Sequence, residues 1–112
     1  MDIKQLVGRQ VHVRAIDLFG AAVFAVIRAT ESAAPALLLE FTSPVRIGEE
    51  TYLFAVAKPR LERDDLGVLL NNGILGCGVT CVPRDSYDPT KPFDLSWWRG
   101  GGAAIADLVL SA

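Results

Sequence analysis

One histidine, two cysteines and one methionine leave this chain nearly without the side chains that bind transition metals or attack substrates as nucleophiles. A zinc site needs four well-spaced ligands, and His12 with Cys77 and Cys81 does not supply them, so no metal or other cofactor is expected. A CxxC redox pair is absent as well. If Cys77 and Cys81 lie on one strand they stand about 13 Å apart, too far for a disulfide, whose Cα atoms lie within about 7 Å.

An excess of positive charge is also missing. The formal net charge is −2 and the isoelectric point about 5.3, with acids and bases interleaved from Asp2 to Asp107. Such a balance argues against a nucleic-acid partner, which calls for a basic face. No apolar run is long enough to cross a bilayer as a helix. The longest uncharged one, Leu18 to Ile27, falls well short of the roughly 20 residues required. Met1-Asp2-Ile3-Lys4 lacks the basic region and apolar core of a secretory signal. The expectation is a soluble cytoplasmic protein without membrane contact. No Ser/Gly/Pro-rich linker, repeat or low-complexity tract divides residues 1–112, which read as a single domain.

Apolar matter is what the chain has in surplus. It makes up 51% of the 112 residues before the ten glycines are counted, against roughly 45–50% with glycine included in an average soluble domain. So small a domain has limited interior to hide that surplus. The excess points to a subunit interface or a ligand cavity.

Val11, Val13 and Ala15 alternate with His12 and Arg14, the period-two pattern of a strand with one buried face. Asp17 to Gly20 reads as a turn. Ala22 to Ala29 is apolar on both faces; its β-branched residues and Phe24 favour a strand, while its alanines and Asp17 as an N-cap keep a helix open. Glu31 to Pro35 is loop, and Leu37 to Thr42 a third strand that Ser43-Pro44 ends or bends. Gly48-Glu49-Glu50 turns the chain into a fourth strand, Thr51 to Ala57, closed by Pro59. Residues 64–72 carry the helix signal: Leu66, Leu69 and Leu70 share a face, acids occupy the first turn where the helix dipole favours them, and Gly73 stands as the C-cap. Ile74 to Val82 forms a fifth strand with Gly76 and Gly78 opposite Cys77, Val79 and Cys81. Ala103 to Leu110 is the last.

These elements give an α+β fold, mainly β: a curved antiparallel sheet or partial barrel of five to six strands with one packed helix at about 64–72. Strand-helix alternation of the doubly wound kind is absent.

Trp97-Trp98-Arg99 followed by Gly100 to Gly102 is the first candidate for binding. Neighbouring tryptophans on a strand face opposite ways, so one is free to line a cavity or interface, where Trp and Arg are favoured. A plain turn after two core aromatics is the bland alternative. Before it, Pro83 to Phe93 makes a loop long enough to suggest function, in which Tyr87 and, just beyond, Asp94 are further binding candidates. The acids there match no calcium-loop spacing. His12 and Cys81 are the reactive candidates, His12 because it titrates near neutrality and Cys81 because it lies near a strand end beside Pro83. Each has an ordinary reading too, as a strand residue and a small buried hydrophobe. Asp107 interrupts the apolar last strand and calls for a partner such as Arg14 or Arg28, or for a solvent-facing position.

Three functions are weighed. The leading one is a non-enzymatic protein-interaction or binding module that acts as a homo-oligomer, most simply a dimer. The second is a small-molecule receptor with an apolar pocket near Trp97 and Trp98. The third is a small enzyme using His12 or Cys81. No catalytic motif with diagnostic context supports the last.

Overall fold

The period-two alternation of Val11–Ala15 carries through to three dimensions in the computed structural model, which describes residues 3–15, 23–31, 35–61, 65–82 and 104–111. Six antiparallel strands follow one another around a closed barrel: β1 (Gln10–Arg14), β2 (Val23–Glu31), β3 (Ala36–Ile47), β4 (Glu50–Pro59), β5 (Ile74–Cys81) and β6 (Ala104–Leu110). Each strand pairs with the next in sequence, and β6 returns to β1 through the register Val11↔Leu110 to Arg14↔Asp107. The partial barrel expected from sequence is therefore complete. Closure removes both edges, and with them the unpaired backbone groups that an open sheet presents.

Closure also gives each strand an inside and an outside. Val11, Val13, Ala25, Ile27, Leu37, Leu39, Ala55, Ala57, Cys77, Val79 and Leu108 are fully buried within one cluster. The residues between them, including Arg14, Arg28, Glu40, Lys58 and Asp107, lie on the outer face. Among the described residues no helix is long and apolar enough to cross a membrane.

Ala22 to Ala29, open between strand and helix, is a strand over its described part. Its neighbours on both sides decide this, since β2 pairs with β1 and β3 at once. The ladder slips between Ile27 and Ala29, which leaves Arg28 as an extra outward residue whose Nε donates to the Glu40 carboxylate. Ser43-Pro44 bends β3 rather than ending it. The register shifts between Glu40 and Val45, and in that bulge a proline without an N–H costs no ladder bond.

The helix is shorter than the 64–72 expected. Its hydrogen-bonded turns, α1, span Gly67–Asn72, and no acid occupies the first turn. Asp65 stands before the helix instead, where its Oδ1 accepts the Gly67 N–H at 2.9 Å. That bond satisfies one of the backbone donors left open at the helix start. At the other end the C-cap holds as read: Gly73 has φ 76° and donates its N–H to the Leu69 carbonyl at 2.9 Å. A 3₁₀ turn at Ile3–Leu6, unsignalled by periodicity, lies beside α1. Leu6, Leu66 and Leu69 from these two elements are fully buried and plug one end of the barrel. β5 ends and β6 begins at the end opposite the plug.

Leu39 lies at the centre of this interior with no exposed surface. Leu39→Ala is expected to cost about 2–5 kcal/mol through lost burial and the cavity left behind. A urea titration followed by circular dichroism reads this as a lowered midpoint with an unchanged slope.

Candidate functional site

A six-stranded barrel is narrower than the eight-stranded kind, whose lumen side chains already fill. Here the lumen is occupied by the leucines, valines and alanines of the core. The interior offers no open space for a ligand among these side chains. Trp97, Trp98, Arg99, Tyr87 and Asp94 fall in the segment joining Val82 to Ala104 and lie outside the described residues, as does the pocket expected beside the tryptophans.

The two reactive candidates are described, and the wall separates them. His12 is on the outer face of β1, its ring stacked on Phe24 with centroids 4.8 Å apart and planes 18° from parallel. Cys81 packs with the inner cluster from β5. Alternation alone keeps a strand residue facing outward from meeting one facing inward, so the structure does not bring these two together. Burial pushes the Cys81 thiol up to about 11 from an ordinary value of 9.0. A thiol held there is almost wholly protonated near neutral pH, and the thiolate is the nucleophile. Neither cysteine forms a disulfide, and Cys77 is buried. Among the described residues no group of three or more His, Cys, Asp or Glu side chains gathers where a metal ion would sit.

What the register does assemble is a set of outward-facing rows across β2, β1, β6 and β5. His12 stands opposite Phe24 on one side and Val109 on the other, and Val109 stands opposite Ile74. The result is a stripe, Phe24–His12–Val109–Ile74, that crosses four strands. Phe24 and Ile74 are each 43% exposed, which is high for large apolar side chains in a folded wall. One row along, Arg14 stands opposite Asp107, and Asp107 opposite Gly76. The Arg60 guanidinium lies over Gly76, where a Cβ would come within 3.1 Å of it. Beyond Asp107 on β6, Ile105 is 67% exposed.

Sequence reasoning named Arg14 as a possible partner for Asp107, and the register places the two directly across from each other. Among the described residues neither takes part in an ion pair. The stripe itself was missed. Its members come from four strands, and only His12 drew attention, for its chemistry.

A second apolar cluster lies on the outer side of β3 and β4, where Ala36, Leu38, Val56 and Val82 are buried beside Ala29 and Phe54. Next to it on β5, the Thr80 hydroxyl is buried with no hydrogen-bond partner among the described residues, as is Nε2 of His12. Such groups carry a desolvation cost of about 1–3 kcal/mol.

The raised Cys81 thiol gives a measurable expectation. Alkylation by iodoacetamide at pH 7.5 should run about a hundredfold slower than for a free thiol, and should accelerate as the pH climbs towards 11. The same shift stabilises the fold fully below pH 9.0, and that contribution is lost as pH rises through 11, because the unfolded thiol releases its proton first. No family model matches the chain, and comparisons with curated proteins and with solved structures return no match.

Proposed function

We propose that this protein is a non-enzymatic interaction module of the cytoplasm that acts as a homo-oligomer, most simply a dimer. The observation behind this reading is the Phe24–His12–Val109–Ile74 stripe. A barrel whose lumen is already full has no interior use for these side chains, and their exposure carries a hydrophobic cost in an isolated chain. Contiguous apolar surface ringed by polar residues characterises sites of association. Gln10, Arg14 and Asp107 supply that polar surround.

The apolar surplus of the sequence agrees with this reading, since a dimer adds interior that a single small barrel lacks. Two-fold symmetry is the economical form of such association: one patch serves both copies. Two cysteines without a disulfide between them fit a reducing compartment.

Native mass spectrometry and sedimentation across the micromolar range test the reading. The unmodified chain is expected to be dimeric at the upper end. Ile74→Glu, which places a charge on the stripe without touching the barrel interior, is expected to give a folded monomer with an unchanged far-UV spectrum. A wild-type chain that stays monomeric throughout overturns the proposal.

A further inference from the structure

If two copies meet through this face, its charges select the symmetry axis. Arg14 and Asp107 occupy the same height on neighbouring strands, one on each side of the β1/β6 seam. Consider two copies stacked outer face to outer face. A two-fold axis running across the strands through that row sets Arg14 over Arg14 and Asp107 over Asp107, and like charges meet. An axis running along the seam instead exchanges β1 with β6. Arg14 of each copy then lies over Asp107 of the other, twice.

The rest of the face agrees with the second axis. Exchange of β1 with β6 also exchanges β2 with β5, because these flank the seam on either side. His12 comes over Val109 of the second copy, and Phe24 over Ile74 of the second copy. The stripe is thus self-complementary under the same operation that pairs the charges. At the seam His12 and Val109 form the contact, Phe24 and Ile74 flank it on the curving wall, and no charge stands within the row.

We propose that two copies of this chain pack about a two-fold axis along the β1/β6 seam, with the stripe at the contact and two crosswise Arg14–Asp107 ion pairs beside it. This rests on the homo-oligomeric reading above and adds the partner, the face and the register. Two convex walls touch over a limited area, so the interface falls at the small end of the range and the dimer is in concentration-dependent exchange with monomer. The charges supply orientation, since juxtaposed like charges exclude the alternative axis.

Charge reversal in trans tests the register. Arg14→Asp and Asp107→Arg chains, each alone, bring like charges together at both crosswise contacts and are expected to be monomeric where wild type is dimeric. Mixed in equal amounts they restore both pairs, Asp over Arg and Asp over Arg. Native mass spectrometry should then show the heterodimer while each homodimer is absent. Within each chain the reversed residue still faces a like charge across the strands, so recovery on mixing cannot come from repair of the fold. Circular dichroism and melting of each variant establish that it is folded. Where a reversed chain fails to fold, Arg14→Gln serves, with dimer affinity expected to fall about tenfold.

The outcomes separate the two proposals. A monomeric wild-type chain overturns both. A dimeric wild type whose affinity is unchanged by reversal or by Arg14→Gln keeps the homo-oligomer and overturns this axis. Monomeric variants that remain monomeric on mixing also overturn it, because the crosswise pairs would then not exist.

Discussion

The ladder between β1 and β6 turns a meander of short strands into a closed wall, and the rest of the molecule depends on it. Without that pairing, β1 and β6 would each expose a row of unpaired N–H and C=O groups. Two strands that end the sheet in sequence order become neighbours, and the outer surface becomes continuous across the seam. The interior becomes continuous too. Val11 and Val13 of β1 join Leu108 of β6 in one cluster that the 3₁₀ turn and α1 seal at one end.

A wall this tightly curved has little room inside. Alanines at 25, 55, 57 and 106 stand among the leucines and valines, so small and large side chains share the lumen. The apolar content that the lumen does not take must go elsewhere. Part of it lies on the outer side of β3 and β4, buried around Leu38 and Val56. Another part lies across the seam, where Phe24, Val109 and Ile74 remain at the surface around a stacked histidine. The proposed function follows from the second group.

Much of the fold was legible because its signals are local. Strand positions came from alternation and β-branched residues, and the C-cap at Gly73 came from the one residue type suited to positive φ. The outward placement of Gly76 opposite Cys77 followed from period two, although the Arg60 guanidinium lying over it did not. The extents were less legible than the elements. The helix begins only at Gly67, whose N–H the Asp65 carboxylate accepts. Of the two outcomes open at Ser43-Pro44 the bend is the one found, and β3 runs on to Ile47, because a bulge excuses the missing donor. The binding candidates around Trp97 and Trp98 lie outside the described residues, while His12 and Cys81 are divided by the wall.

By itself the sequence determined which residues face each way along a strand, because side-chain direction repeats every two residues whatever the strand pairs with. It also determined that the apolar content exceeds what one small domain readily hides. Only the tertiary structure decided that the sheet closes, that Arg14 stands opposite Asp107, and that Phe24, His12, Val109 and Ile74 form one row. Those facts depend on strand order and register. Both are set by how a twisted sheet meets itself around a packed core, and no window of neighbouring residues contains that geometry.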